Sequence, residues 1–127
     1  METQIIVTGI LKDNDLYLVV KRDDNDDLFP EAWEFPGGHL ESNETIYEAL
    51  KRELEEEIGY ELIDKPIITN YSDKIKDNVH KIELDFIINV NKSDINITLS
   101  NEHSSYDWVT KDSDLLDDFI KSKLNNI

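Results

Sequence analysis

Short apolar runs alternate with polar turns along this chain, and that rhythm predicts most of its elements. Thr3 to Leu11 is dense in Ile and Val, Lys12-Asp13-Asn14-Asp15 is polar, and Leu16 to Lys21 is apolar again, the pattern of a β-hairpin. Asp23 to Asp27 follows as an acidic loop. Pro30 and the Pro36-Gly37-Gly38 cluster punctuate the stretch around Trp33 and Phe35, so strand there comes only in short pieces. From about Glu44 to Ile58 neither Gly nor Pro intervenes and good helix formers dominate, which predicts a helix. Ser42, Asn43 and Thr45 are candidate N-caps, and Gly59 is placed to stop it. Tyr47, Leu50, Leu54 and Ile58 fall on one stripe of that helix, which needs a sheet or a second helix to cover it. Pro66 to Tyr71, His80 to Val90, Ile95 to Leu99 and Tyr106 to Val109 read as strands. Leu115, Leu116, Phe119, Ile120 and Leu124 have helical spacing behind Asp112 or Ser113 as cap. The sum is a mixed α/β fold with one central and one C-terminal helix. At 127 residues the chain is read as a single domain spanning 1–127.

Charge narrows the function classes. Lys and Arg total 13 against 29 Asp and Glu, a formal charge of −16. Such a surface repels the phosphates of nucleic acid and of anionic lipid, so neither is an expected partner. A small phosphate-bearing substrate stays possible if divalent cations neutralise part of the site. The absence of cysteine rules out disulfides and thiolate zinc sites and makes a reducing cytoplasm the expected compartment. The opening METQIIVTGILKDNDLYLVVKR has no basic start followed by an uninterrupted apolar stretch, so neither a signal peptide nor a membrane helix is expected.

The predicted helix carries Glu48, Glu53, Glu55, Glu56 and Glu57. Solvated, they are an ordinary acidic face. Their spacing favours something else. Glu53 with Glu56 and Glu53 with Glu57 are i,i+3 and i,i+4 pairs, so three like charges converge on one patch. They also crowd toward the C-terminal end, where the helix dipole disfavours anions. A hard divalent cation resolves that conflict, because Mg²⁺ or Mn²⁺ takes oxygen ligands from a few carboxylates plus substrate phosphate and water. Arg52 among them is either a plain salt bridge, for example to Glu56, or an orienting group for carboxylate rotamers. The Pro36-Gly37-Gly38 turn could bring backbone groups close to a metal or phosphate, forming a second wall of one site.

Residues 38 to 60, GHLESNETIYEALKRELEEEIGY, resemble the signature of the Nudix hydrolases through Gly38, Glu44, Arg52, Glu53, Leu54, Glu56, Glu57 and Gly59. Tyr60 departs, since an aliphatic residue is usual there, and Trp33-Glu34-Phe35-Pro36-Gly37-Gly38 looks like the usual entry to the signature. The resemblance implies an α/β/α sandwich with a mixed central sheet and a loop–helix–loop catalytic element. It implies Mg²⁺ or Mn²⁺ on Glu53, Glu56 and Glu57, with the Gly38 carbonyl as a possible further ligand, and Glu44 and Arg52 as supporting residues. The implied reaction is attack of a metal-activated water on one phosphorus of a nucleoside diphosphate linked to another group. The general base is Glu53, Glu56 or a later carboxylate. Glu102 is the candidate for the last, because Asn101 to Val109 looks like the late acidic loop leading to a Trp-containing strand in similar enzymes. His39 and His103 read as surface or hydrogen-bonding residues. Lys21 and Arg22 end the second strand, where a basic residue of similar enzymes reaches substrate phosphate; the other reading is a polar strand end. Trp33 and Phe35 could stack on a base, with Gly37 beside them, or belong to the core.

Substrate is narrowed by absence. Asp23 to Asp27 does not resemble the basic motif of the coenzyme A subgroup. The Pro or Tyr that marks the ADP-ribose and dinucleoside polyphosphate subgroups is missing around Ile75 to Asn78. The chain therefore looks most like the MutT-type nucleoside triphosphate diphosphatases, which release monophosphate and pyrophosphate. The alternatives are an ADP-ribose or other nucleoside diphosphate sugar hydrolase, and a nucleotide-binding module without turnover. Monomer and homodimer are both open.

Overall fold

In β1 (Glu2–Asp13), Val7 and Leu11 are buried toward one side and Ile10 toward the other, so this strand is covered on both faces. The arrangement comes from a computed structural model that describes residues 1–25, 30–125 and 127. Asp26 and Asp27 of the expected acidic loop lie outside the described residues.

The remaining strands are β2 (Leu16–Arg22), β3 (Trp33–Glu34), β4 (Gly37–His39), β5 (Ile67–Lys76), β6 (Val79–Asn89) and β7 (His103–Val109). They form one sheet in the order β3-β2-β1-β6-β5, with β4 also paired to β1 and β7 also paired to β2. The β1–β6 pair is parallel from Glu2↔Val79 to Lys12↔Asn89, and the other pairs are antiparallel, so the sheet is mixed. α1 (Ile46–Ile58) covers one face through Leu50, Leu54 and Ile58 on Val7, Leu11, Leu18 and Val20. α2 (Asp118–Ser122) covers the other with Leu116, Ile120 and Leu124 against Ile10, Tyr17, Val19 and Val109. This is the expected α/β/α sandwich.

α1 starts at Ile46 because Thr45 is the N-cap: its side chain accepts from the Glu48 N–H while the Glu48 carboxylate accepts from the Thr45 N–H at 2.9 Å. Asn43, at φ 65°, is left-handed and cannot open the helix. Gly59 ends it at φ 69°, and its N–H donates to the Glu55 carbonyl.

Three expectations are corrected. Ile95 to Leu99 is not a strand: Ile95, Ile97 and Leu99 pack on the α1 side, but the Thr98 and Ser100 N–H groups donate to the Ile58 and Glu57 carbonyls. Alternation fixed the side chains, and the end of a helix supplied the backbone partners. The strand expected over Pro66 to Tyr71 runs on to Lys76, because Asp77 (φ 54°) and Asn78 (φ 64°) close a tight hairpin with β6. The last helix begins at Asp118, capped by the Asp117 carboxylate on the Ile120 N–H; neither Asp112 nor Ser113 starts it.

Candidate active site

Helical spacing brings Glu53 and Glu57 to the turn ahead of α1. The Gly37 N–H donates to Glu57 Oε1 at 2.7 Å. Gly38 lies directly on the Glu53 carboxylate, so that any Cβ at position 38 would occupy the space of its oxygens. A Cβ at Gly37 would meet the Val7 carbonyl of β1. Both glycines are therefore demanded by close approach: one to the strand, the other to the acid. The pairing Val7↔Gly38 and Thr8↔Gly37 fixes this turn on the sheet.

Arg52 ties the acids together. Its Nε donates to Glu44 Oε2 at 2.7 Å and its Nη2 to Glu44 Oε1 at 3.0 Å, a two-point grip. Nη1 donates to Glu53 Oε1 at 2.7 Å and to Glu56 Oε2 at 3.4 Å, and Nη2 also reaches the His39 carbonyl at 3.0 Å. Glu44 in turn accepts from the Glu41 N–H. The Arg52 hydrogen bonds, with that N–H, hold the Glu44 carboxyl down at about 2. The expected bridge between Arg52 and Glu56 exists, but at 3.4 Å it is longer than the bonds to Glu44 and Glu53, and the orienting role has the better geometry.

Glu57 is 5% exposed. Burial pushes its carboxyl up to about 9, against the Gly37 N–H and with the negative charges of Glu53, Glu34 and Glu102 adding to the rise. Burial likewise raises Glu53, with Arg52 opposing. Glu56 remains mostly exposed on the outer side.

Glu102 arrives at the head of β7, the strand that pairs with β2. The Ser100 N–H bond to α1 and the Asp23 N–H bond to the Glu102 carbonyl place it at the start of β7. One ligand atom each from Glu57, Glu102 and His103 lie within 4.8 Å of one another. His103 is buried and its Nε2 donates to Glu34 Oε2 at 2.8 Å, while Nδ1 has no partner among the described residues. Arg22 Nε donates to the other oxygen, Glu34 Oε1, at 3.1 Å.

The expectation of a hydrogen-bonding His103 agrees with its bond to Glu34, although it is buried and not at the surface; Glu34 is the member of the cluster that the sequence did not single out. One signal existed: Phe35 is core on the α2 side, so its neighbour Glu34 must face the other way. Phe35 itself is 5% exposed and presents no free ring face. Lys21 and Arg22 part company for the same reason. Arg22 follows Leu18 and Val20 on the α1 side, and Lys21, with Tyr17 and Val19, faces the other way and pairs with Glu31 at 3.9 Å.

The donor set suits a hard divalent cation. It is rich in carboxylate oxygens, buried Glu57 has no cationic partner among the described residues, and His103 stands within the same cluster. Among the described residues no helix is long and apolar enough to cross a membrane.

Comparison with known proteins agrees with this geometry. The family model for the NUDIX domain matches residues 2–123. The nucleoside triphosphatases NudI of Salmonella paratyphi B and of Salmonella typhimurium are 32% identical over 120 residues, covering 86% of this chain and 83% of theirs. In fold, the MutT protein of Methanosarcina mazei Go1 superposes with a TM-score of 0.80 at 22% identity, covering 96% of this chain and 90% of its own. The MutT NUDIX hydrolase of Burkholderia pseudomallei gives 0.81 at 18% identity, covering 100% and 99%.

Proposed function

The chain belongs to the Nudix hydrolase family, and from that premise we propose that it acts as one domain hydrolysing a nucleoside triphosphate to the monophosphate and pyrophosphate with Mg²⁺ or Mn²⁺. The observation that carries the reading is the braced carboxylate pair, Glu53 and Glu57, held against Gly38 and the Gly37 N–H beside Glu102. The relatives' name, nucleoside triphosphatase, supports the choice of substrate.

A bound divalent ion supplies an acidified water and charge neutralisation for phosphate oxygens. Glu53, Glu56, Glu57 and the Gly38 carbonyl are the groups that would hold it. The chain's own residues do the rest. Arg52 fixes the Glu53 rotamer, and Glu44 fixes Arg52 through two hydrogen bonds. Glu102 is our choice for the group that takes the proton from the attacking water. Glu53 gives one oxygen to Arg52, whereas the exposed Glu102 carboxylate has no hydrogen-bond partner among the described residues. Arg22, held by Glu34, puts the positive charge of β2 on the same side as these acids and suits an incoming phosphate.

A nucleotide panel assayed with Mg²⁺ tests the reading. Monophosphate plus pyrophosphate from a triphosphate supports it, and sugar phosphate plus AMP from ADP-ribose replaces it. Glu53→Gln and Glu102→Gln are each expected to lower kcat by about 10²-fold or more. Native, Glu53→Gln and Glu56→Gln proteins with equal background phosphate release across the panel would end the enzymatic reading.

A further inference from the structure

β7 departs from a regular ladder at its first residues. Lys21 lies opposite Ser105, but Arg22 lies opposite His103, so Ser104 is an extra residue in β7. A regular ladder would set Ser104 opposite Arg22; the bulge sets His103 there, with a side chain only 2% exposed. Both residues reach one acid. Glu34 Oε1 accepts from Arg22 Nε at 3.1 Å, and Oε2 accepts from His103 Nε2 at 2.8 Å. An ionised carboxylate only accepts, so Nε2 is a nitrogen that carries a proton. Val20 pairs with Glu34 of β3 and with Tyr106 of β7, which puts those strands on opposite edges of β2. The Glu34–His103 bond therefore passes over β2 and ties β7 to β3.

Glu102 is the residue beside this tie. Its carboxylate is exposed and has no hydrogen-bond partner among the described residues, yet one ligand atom each of Glu57, Glu102 and His103 lie within 4.8 Å of one another. Two carboxylates at such a separation repel, and an exposed glutamate gains rotamer freedom by swinging into solvent. What keeps it there is its backbone. The Asp23 N–H donates to the Glu102 carbonyl at 3.0 Å. On the loop side the bonds are long: the Glu102 N–H to Ser100 Oγ at 3.3 Å, and the His103 N–H to the Ser100 carbonyl at 3.4 Å. The bond of His103 to Glu34 is shorter, and an ionised acceptor makes it roughly twice as strong as a neutral one.

We propose that His103 is a positioning residue: seated on Glu34, it holds the Glu102 carboxylate beside Glu57, where the attacking water gives up its proton. The inference rests on the reading of Glu102 as the proton acceptor. His103 acts through its neighbour and not on the substrate. The competing role is purely structural, with His103 and Glu34 pinning β7 to the sheet. That role predicts a loss of stability, and an effect on turnover that is indifferent to the residue at position 102.

A double-mutant cycle in kcat separates the two, run on the full chain with Mg²⁺ and the nucleoside triphosphate turned over fastest in the panel. His103→Leu is expected to lower kcat about 10-fold, and His103→Gln, whose amide nitrogen stands in for Nε2, to recover most of that loss. In a Glu102→Gln background the same His103→Leu change is expected to lower kcat no further, while its cost in urea unfolding is the same in both backgrounds. Where His103→Leu does not fold, Glu34→Gln takes its place, since one amide oxygen cannot serve both donors. The metal-free native chain gives a readout without a variant: in chelator, long-range ¹H–¹⁵N correlation is expected to find a proton on His103 Nε2. A proton on Nδ1 alone, native kcat in folded His103→Leu, or an equal loss in both backgrounds overturns the proposal and leaves Glu102 as the proton acceptor. Native kcat in Glu102→Gln ends that reading, and the proposal with it.

Discussion

Glu57 and Gly38 show how single residues carry opposite demands. The Glu57 carboxyl holds its proton to about 9 in the fold, from an ordinary value of 4.5, chiefly because it is buried. A group raised in this way contributes stability below its unfolded pKa and loses it as pH climbs through the folded one. The metal-free protein is therefore expected to melt at progressively lower temperature between about pH 5 and pH 9, and Glu57→Gln to flatten that slope; melting curves in chelator check both. Mg²⁺ needs the ionised form, so its affinity by calorimetry is expected to rise with pH over the same window. Glu44 works in the opposite sense: its carboxyl lies at about 2, so the brace to Arg52 is lost only in acid. At Gly38 the requirement is space. Gly38→Ala drives a methyl into the Glu53 carboxylate, and the displaced acid is expected to cost about 10²-fold in kcat/KM.

At the scale of elements, α1 holds the site because both of its ends are fixed. Its Thr45–Glu48 capping box sets the first turn, and Thr45→Ala is expected to cost about 1 kcal/mol in urea unfolding with the turnover rate little changed. At the other end, the segment after the short helical turn at Lys92–Asp94 gives its N–H groups to the Ile58 and Glu57 carbonyls. That attachment leads the chain straight to Glu102 and His103. The alternation in INITL was legible in the sequence, but not its partner, since alternation fixes faces and leaves the source of hydrogen bonds open. The long β5 was hidden for a related reason. Its outer half, Ser72 to Lys76, is exposed edge with few apolar positions, and only the Asp77–Asn78 turn shows that it pairs.

Over the whole molecule, the layer opposite the acids has its own anchor. Lys123 from the end of α2 donates to Asp85 at 2.8 Å and to Glu83 at 2.9 Å, and Asp85 is fully buried. Burial raises the Asp85 carboxyl while Lys123 pulls it down. Lys123→Met removes the cation that pairs with buried Asp85 and is expected to cost about 3–5 kcal/mol. Asp85→Asn added to that variant is expected to restore part of the loss, measured by urea unfolding. Neither residue stood out in the sequence, because their separation of 38 positions gives no local pattern.

The sequence by itself determined the parts that depend on near neighbours. Helical spacing placed Glu53, Glu56 and Glu57 on one patch, glycines marked the turn against which they rest, and alternating strands required two covered faces. Tertiary structure decided what comes from a distance. It turned Glu34 toward Arg22 and His103, brought Glu102 within reach of Glu57, sent Phe35 and Lys21 to the opposite side, and left Tyr71 and Ile75 bare. The physical reason is the same in each case. Periodicity fixes the direction of a side chain relative to its own backbone, but only the pairing of strands and the docking of helices fixes what it meets there.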